Sequence, residues 1–229
     1  MGRTLIEKIM ATHGGGDCRA GDVVWIDIDN RTARDFAGAS VVANLEKYGG
    51  SDPVADPGKT FFTFDCNVPA NTIPYADNQQ RIRNFARGQG LRVYDVDAGI
   101  GSHVVIEEKY GRPGTTTVGT DSHLNIMGSV GAFGQGMGDV DIAFAFKTGR
   151  VWFEVPSSVK VTLQGMPAEG TEAKDVALAM FGRFREHQLL GRSVEICGQW
   201  VENASLADCI TLSSLATEMG AIIALIPPN

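Results

Sequence analysis

The stretch GTDSHLNIMGSVGAFGQGMG, residues 119–138, places a carboxylate, a hydroxyl and an imidazole side by side ahead of a glycine-rich segment. The stretch holds six glycines in twenty residues. Glycine costs about 1 kcal/mol relative to alanine inside a helix, so close packing must offset this cost. We predict a glycine-rich helix over residues 125–146 that lies against its neighbours or a ligand. A phosphate-binding loop is the weaker alternative, because no GxGxxG motif directly follows a strand.

Strand patterns and helix patterns alternate on both sides of this stretch. The strand patterns cover residues 22–29, 60–65, 91–97, 115–123 and 193–203, with an extended, hairpin-like pair over 150–165. The helix patterns cover residues 4–13, 33–50, 78–90, 103–111, 173–188 and 206–229, the last ending in a short strand. Alternation of this kind predicts an α/β fold.

Polar clusters fall at three predicted strand ends. They are Asp65-Cys66-Asn67, Ser102-His103 and Asp121-Ser122-His123. In α/β sheets the chemistry gathers at strand ends, where loops enter helices. Each cluster also has a plain structural explanation: Asp121 and Ser122 can cap the next helix, Cys66 can be a buried thiol, and His103 can be a structural histidine. Both interpretations stay open, but the coincidence of three clusters favours a functional cleft.

Composition and charge exclude several classes of partner. Of the 229 residues, 43% are hydrophobic and 21% are charged, and the net charge is −7. Such an acidic chain predicts neither nucleic acid nor an anionic membrane surface as a partner. The sequence shows no signal peptide and no membrane span, and its four cysteines form no CxxC pair. We therefore expect a cytoplasmic protein with free thiols.

The clusters and the segments around them resemble the aconitase superfamily, in the branch of the 3-isopropylmalate dehydratase and homoaconitase large subunits. The resemblance is carried by TLIEKIMATHG, FDCNVPAN, GIGSHVVIEE, PGTTTVGTDSH, GSVGAFGQGMGDVD, WFEVP and TLSSLATEMGA. It covers nearly the whole chain but only the first part of the large subunit. It implies a layered αβα aconitase-like domain over residues 1–157, followed by the start of a second α/β domain over residues 158–229.

The resemblance also implies a set of site residues. In this family an iron–sulfur cluster and a ring of polar residues remove and re-add water to interconvert hydroxy acids. Asp121, Ser122 and His123 match the active-site Asp-Ser-His, Asp65 matches the aspartate of an Asp-His pair, and Glu218 matches a glutamate near the cluster. The predicted catalytic residues are Asp65, Cys66, His103, Asp121 and His123. The predicted substrate-binding residues are Arg34, Ser102, Ser122, Asn125 and Glu218.

This sequence departs from the family at several of these positions. Cys66 stands where the family has the histidine that protonates the departing hydroxyl, and Ser102 and His103 stand where it has His-Gln. The family's three cluster-binding cysteines lie beyond the end of this sequence, and the four cysteines present match none of them. We therefore predict no metal ligand on this chain. A [4Fe-4S] cluster is expected only if a partner chain or a missing segment supplies the cysteines.

Three explanations are compatible with these departures. The chain is a cluster-free lyase or isomerase that acts on a small carboxylate-bearing or enolisable substrate through Cys66 and His123, which is the explanation we favour. Alternatively, it is a truncated or split large subunit with a cluster-bearing or small-subunit partner, or a non-catalytic binding protein; a homodimer is also possible. In the favoured case, Asp121 orients His123, Asp65 orients Cys66, an imidazolium lowers the pKa of the Cys66 thiol, and Ser122 and Arg34 hold substrate oxygens.

Overall fold

The computed structural model describes residues 2–50, 52–184 and 188–228. The strands are β1 (Val23–Asp27), β2 (Asn30–Arg34), β3 (Thr60–Thr63), β4 (Arg92–Tyr94), β5 (Thr116–Gly119), β6 (Phe133–Gly136), β7 (Arg150–Glu154), β8 (Ser158–Thr162), β9 (Ser193–Cys197) and β10 (Ile223–Leu225). The α-helices are α1 (Leu5–Gly14), α2 (Asp35–Gly49), α3 (Ile73–Gln89), α4 (Gly101–Glu107), α5 (Asp139–Thr148), α6 (Ala173–Arg183), α7 (Gln199–Asn203) and α8 (Leu206–Ser214). The predicted α/β fold is confirmed.

The larger sheet has five parallel strands in the order β4-β3-β2-β5-β6. The chain runs outward from β2 through β3 to β4, then returns to the other side of β2 for β5 and β6. The strand order therefore reverses between β2 and β5. In open parallel sheets this reversal leaves a crevice at the carboxyl ends of the strands, because the two flanking connections lead away in opposite directions.

The sequence does not predict the central strand β2. Four of its five residues, NRTAR, are polar, and the helix pattern begins already at residue 33. The strand is nevertheless buried, and two of its polar side chains find partners inside the protein. Asn30 donates to the carbonyl of Tyr110, and Arg31 donates to Thr60 Oγ1 and to the carbonyl of Ile28. Polar residues thus occupy the middle of the sheet without unpaired donors at these positions.

The predicted glycine-rich helix over residues 125–146 is wrong. The structure has a 3₁₀ helix over Leu124–Val130, then β6, then α5. The glycines permit close backbone packing instead. A Cβ at Gly134 would collide with the carbonyl oxygen of Leu124, and a Cβ at Gly136 would collide with that of Asp121. Glycine lets β6 lie directly against the loop that follows β5, which is the packing that the glycine content predicts.

The hairpin predicted over residues 150–165 is also wrong. Strand β7 pairs antiparallel with β1, whereas β8 belongs to a second sheet of three parallel strands in the order β10-β9-β8. The β1–β7 ribbon leaves one face open, on which Val23 and Trp25 are exposed. In strand β10, successive side chains point to opposite faces. Ile223 and Leu225 therefore pack in the hydrophobic core of the five-stranded sheet, and Ala224 packs in the core of the three-stranded sheet. This strand joins the two sheets.

Several predicted elements are confirmed. Helix α1 begins with a capping box, in which Thr4 and Glu7 satisfy each other's backbone N–H groups. Helices α2, α3 and α6 and the final strand also occur where their patterns indicate, although α3 begins at Ile73, earlier than predicted. Residues 185–187 of the predicted helix 173–188 lie outside the described residues. No helix in the described part of the chain is long and apolar enough to cross a bilayer.

His13 links helix α1 to the five-stranded sheet at the amino-terminal ends of its strands. Its Nδ1 lies 2.9 Å from the carbonyl oxygen of Ile9, and its Nε2 lies 2.8 Å from Asp29 Oδ2. Both partners only accept hydrogen bonds, so the doubly protonated imidazolium fits best. The hydrogen bond to Asp29 raises the pKa of His13. Burial would raise the pKa of Asp29, but the hydrogen bonds from His13 and the Thr116 backbone lower it.

These shifts predict a pH-dependent contribution to stability. The raised pKa of His13 adds stability that is fully present below its unfolded pKa of about 6.5 and is lost as the pH rises through the folded pKa. The lowered pKa of Asp29 adds stability that is lost only as the pH falls through the folded pKa, below 3.8. His13→Ala should therefore cost about 1 kcal/mol more at pH 5.5 than at pH 9. Urea unfolding at both pH values measures this cost, and an equal cost at both would contradict the assignment.

Candidate functional site

The crevice at the strand reversal is organised around one guanidinium. Arg34, the last residue of β2, donates from Nε to Asp65 Oδ1 at 2.7 Å, and its Nη1 lies 3.2 Å from Asp121 Oδ1. Both carboxylates are almost fully buried. Burial lowers the pKa of Arg34, but the hydrogen bond to Asp65 and the charge of Asp121 outweigh it, so the net shift is upward. The ends of β2, β3 and β5 are thus joined by a fixed positive charge. Arg34 thus contacts two protein carboxylates, and its predicted role in holding substrate oxygens stays a prediction.

A second buried carboxylate shapes the loop that follows β3. Asp35, 1% exposed, accepts hydrogen bonds from the backbone N–H groups of Asp65, Cys66 and Asn67 at 3.1, 3.0 and 3.4 Å. The amide of Gln79 donates to the same carboxylate at 2.9 Å. Burial would raise the pKa of Asp35, but these donors lower it. Asp35 therefore holds the backbone that carries two of the predicted catalytic residues.

The roles of Asp35 and Gln79 are not among the predictions from the sequence, although both residues leave a signal there. Asp35 directly follows a strand end, as the other polar clusters do. Gln79 is three residues before Ile82 on the predicted helix and so shares its inward face. A glutamine on an apolar stripe needs a buried partner, and here that partner is Asp35. Because the sequence does not predict β2, Asp35 looks there like an ordinary residue near the start of a helix, and the partner of Gln79 is not apparent.

Cys66 lies beside this arrangement as a protonated thiol. Its Sγ donates to Asp65 Oδ1 at 3.4 Å, so the predicted Asp65–Cys66 contact is present. Desolvation is the main reason why the pKa of Cys66 rises to about 12; Arg34 lowers it, and the charges of Asp65 and Asp35 raise it further. The expectation that an imidazolium lowers the pKa of this thiol is wrong, because His123 pairs with a different residue.

His123 is held by Glu218. Its Nε2 lies 2.8 Å from Glu218 Oε1, and its Nδ1 lies 3.2 Å from the hydroxyl of Ser122. The Thr217 hydroxyl also donates to the Ser122 carbonyl at 3.2 Å. Asp121 accepts from the backbone N–H of His123, at 3.0 Å, and not from its ring. The ring is thus oriented by Glu218, from the segment that follows α8, and not by Asp121 as predicted. About two fifths of the His123 side chain is exposed, so the ring is accessible.

The other predicted site residues lie around these groups. Ser102 and His103 are in the first turn of α4, whose first residue, Gly101, donates its N–H to Asp65 at 2.5 Å. Ser102 is buried, and the buried Nδ1 of His103 has no hydrogen-bond partner among the described residues. Asn125, 3% exposed, has no partner in that set for either polar atom of its amide. Such orphaned atoms mark places where water or a ligand is needed.

Comparison with known proteins agrees with this geometry. The sequence family described as the aconitase family (aconitate hydratase) matches residues 7–229. This chain belongs to the aconitase family. It is 38% identical to the 3-isopropylmalate dehydratase large subunit 1 of Methanopyrus kandleri and 37% identical to the homoaconitase large subunit of Thermus thermophilus. In both cases the alignment covers 100% of this chain, but 55% and 54% of the relative. The chain thus spans about half the length of these curated relatives.

The thiols on this aconitase-family chain do not fit the iron–sulfur cluster that the family implies. Such clusters are held by several thiolates converging on one point. Cys66 is beside the crevice with its thiol held protonated, while Cys18 and Cys209 are buried elsewhere, in separate hydrophobic cores, and Cys197 ends β9. Asp35, Asp65 and Cys66 lie close enough to bind an ion, but donors already occupy both carboxylates. The described residues therefore do not form a cluster site.

Replacing Asp35 tests its role as the anchor of the 65–67 loop. Asp35→Ala leaves three backbone N–H groups and the Gln79 amide without their acceptor, so we expect it to lower the free energy of unfolding by about 3 kcal/mol. Asp77→Ala, on the exposed side of α3, is the matched control and should change it by less than about 0.5 kcal/mol. Urea unfolding near neutral pH compares the two. Equal small effects would mean that the loop does not depend on Asp35.

The raised pKa of Cys66 predicts slow alkylation despite its exposure. The thiolate is the reactive form, so at pH 8 we expect iodoacetamide to modify Cys66 at least ~30-fold more slowly in the folded protein than in urea. Peptide mass spectrometry of timed samples follows this residue separately from the other three cysteines. Similar rates in the folded and unfolded protein would show that the thiol is not held protonated.

Proposed function

We propose that this chain provides the acid–base half of an aconitase-family site that dehydrates or isomerises a small hydroxy-carboxylate. The observation that carries the proposal is the 2.8 Å contact between His123 and Glu218, which joins the strand-end loop after β5 to the segment after α8. An exposed imidazole oriented by a carboxylate, beside a hydroxyl and two bridged carboxylates, is suited to moving protons. The family and the names of the relatives support the reaction class.

The hydrogen bonds of His123 indicate which nitrogen does this work. A carboxylate only accepts, so Nε2 carries the proton that is shared with Glu218. Nδ1 then has the free lone pair and faces the Ser122 hydroxyl. In the proposed reaction Nδ1 takes a proton from the substrate, directly or through Ser122, and Glu218 stabilises the imidazolium that forms. Asp121 fixes the backbone at His123 while it is paired with Arg34.

Cys66 fits the acid of the same reaction. Its thiol is protonated near neutral pH and donates to Asp65, so it has a proton to give rather than a negative charge with which to attack. In the proposed direction of dehydration, the thiol proton passes to the departing hydroxyl, and water leaves. Asp65 holds the thiol in place and is itself held by Arg34. This is the role that the histidine has in the family that the sequence resembles.

Among the residues that the structure describes, the crevice shows no cation left free for a substrate carboxylate. Asp35, Asp65, Asp121 and Glu218 are all acidic, and Arg34 is already shared between two of them. We therefore propose that a partner chain or a further part of the protein supplies arginine or lysine side chains and any iron–sulfur cluster. A small subunit is the partner that the relatives' description as large subunits suggests. The division into units 1–157 and 158–229 stays a prediction.

One observation favours a second candidate, a cluster-free lyase or isomerase. The family's acid is replaced by a thiol that is kept protonated and hydrogen-bonded to Asp65, which is an ordered arrangement rather than a vacated site. A reaction that does not expel a poor leaving group, such as isomerisation of an enolisable acid, needs only proton transfer between such groups. Activity of this chain without iron would select this candidate.

Variants of the two paired residues, His123 and Glu218, test the proposed function. We use the chain together with any protein that co-purifies under nitrogen. Exchange of the C–H hydrogens of 3-isopropylmalate for deuterium is followed by NMR, because the relatives are named for this acid. His123→Asn should lower kcat at least ~100-fold, and Glu218→Gln at least ~10-fold, because the base is lost or misoriented. His13→Asn, at the opposite edge of the sheet, is the control and should retain the exchange rate. Full exchange by His123→Asn would overturn the proposal.

A further inference from the structure

The antiparallel ribbon of β1 and β7 presents one face to solvent. Directly opposed residues of such a pair share a face, and successive side chains of a strand alternate between faces. On the inner face, Ile26 and Val151 are buried. The outer face consists of three cross-strand pairs, all of them exposed: Val23–Glu154, Trp25–Trp152 and Asp27–Arg150. Its centre is therefore a pair of indole rings, with charged side chains at both ends.

The outer face of the ribbon continues onto helix α5. Val140 and Phe144 lie one turn apart on this helix and are both exposed. The ring of Phe144 lies 5.8 Å from the ring of Trp25, measured between centroids. A hollow of about 220 Å³ lies between the helix and the rings of Trp25 and Trp152. The exposed apolar side chains thus form one continuous surface, which we call the ribbon face.

The ribbon face is large enough to support a specific contact. Its five apolar side chains are between 45% and 65% exposed: Val23, Trp25, Val140, Phe144 and Trp152. Together they expose about 500 Å² for each chain, so two such faces would bury about 1,000 Å² before any polar contact is counted. That area reaches the range of specific protein interfaces, and contiguous apolar patches of this size mark binding surfaces.

We infer that the ribbon face is the contact surface of a homodimer, in which the ribbons of two copies of this chain pack face to face. A two-fold axis places the Trp25–Trp152 pair of one copy on the same pair of the other. If the axis runs parallel to the strands, Arg150 faces Asp27 of the second copy. If the axis runs across the strands, Arg150 faces Glu154 of the second copy. Both arrangements oppose a cation to a carboxylate, so the face is complementary to itself in charge.

This inference goes beyond the proposed function and does not depend on it. The residues of the ribbon face come from β1, β7 and α5, whereas the crevice lies at the ends of β2, β3 and β5. Packing two ribbons together therefore leaves the residues of the crevice unchanged. It also removes two indole rings and a phenyl ring from water, which is the main gain in free energy on association.

The first test locates the contact on the chain as purified. The three tryptophans are replaced by 5-fluorotryptophan, and their ¹⁹F NMR signals are assigned with Trp→Phe variants. Trp200 is 8% exposed in the core of the three-stranded sheet and serves as the internal control. Sedimentation velocity gives the mass from about 100 μM down to about 1 μM, a range that includes moderate dimer affinities. We expect the mass of two chains at the high end, and we expect dilution to shift the signals of Trp25 and Trp152 but not that of Trp200.

A variant pair tests the energetic role of the ribbon face. Trp152→Glu places a carboxylate at the centre of the face and should raise the dimer Kd at least ~30-fold. Ile73→Glu, at the exposed first residue of α3 and outside the face, is the matched control and should leave the Kd unchanged. Urea unfolding shows that both variants fold, because both positions are exposed to solvent.

Three results would overturn the inference. The chain could stay monomeric at about 100 μM, where an interface of this area should hold. It could dimerise without any shift of Trp25 or Trp152, which would place the contact on another surface. A different co-purifying protein could shift these two signals while the separated chain stays monomeric, which would assign the ribbon face to that partner.

Discussion

The crevice depends on the placement of one guanidinium between two buried carboxylates. Asp65 and Asp121 end up close together because β3 and β5 both pair with β2, and Arg34 is the residue with which β2 ends. Without that cation, two nearly buried negative charges would lack compensation, which costs several kcal/mol in proteins. The central position of β2 also explains why the strand can be so polar. Its polar side chains contact groups inside the sheet and at the carboxyl ends of the strands.

The two aspartates of the crevice have a neighbour whose charge is fixed. The sequence resemblance indicates a histidine at the position of Cys66, next to Asp65. Here Arg34 contacts both aspartates. The neighbour of the two carboxylates is thus a guanidinium, which stays positively charged and does not release its proton. It fixes the position of the carboxylates but does not exchange protons with them. We propose that proton transfer then falls to His123 and Cys66.

Much of the organisation could be predicted from the sequence, and the failures have physical causes. The strand-end clusters at Asp65 and Asp121 were found because turn-forming polar residues interrupt apolar strands. Strand β2 was missed because its buried polar groups are satisfied by distant residues such as Tyr110 and Thr60, which no local pattern reveals. The partnership of His123 with Glu218 joins residues 95 positions apart and depends on β10 docking the second sheet on the first, so spacing alone could not show it.

The glycine-rich segment illustrates the same limit. Its composition correctly indicates close backbone approach. Gly134 and Gly136 lie against the carbonyl groups of Leu124 and Asp121 in the preceding loop, and Gly128 lies against the carbonyl group of Ala224 in β10. The segment therefore folds back on itself and forms the wall behind the Asp-Ser-His loop. Local composition predicted that contact would occur, but the choice of strand over helix was decided by pairing with β5.

The central claim is that this chain carries the acid–base groups of an aconitase-family site and leaves any cluster to protein outside the described residues. The measurement that tests it most directly is iron and acid-labile sulfide in the chain after anaerobic purification and separation from every co-purifying protein. We expect only traces of both, with the fold and the His123–Glu218 contact intact. About four irons and four sulfides for each folded chain would contradict it, because the thiols would then converge in a way that the structure does not show.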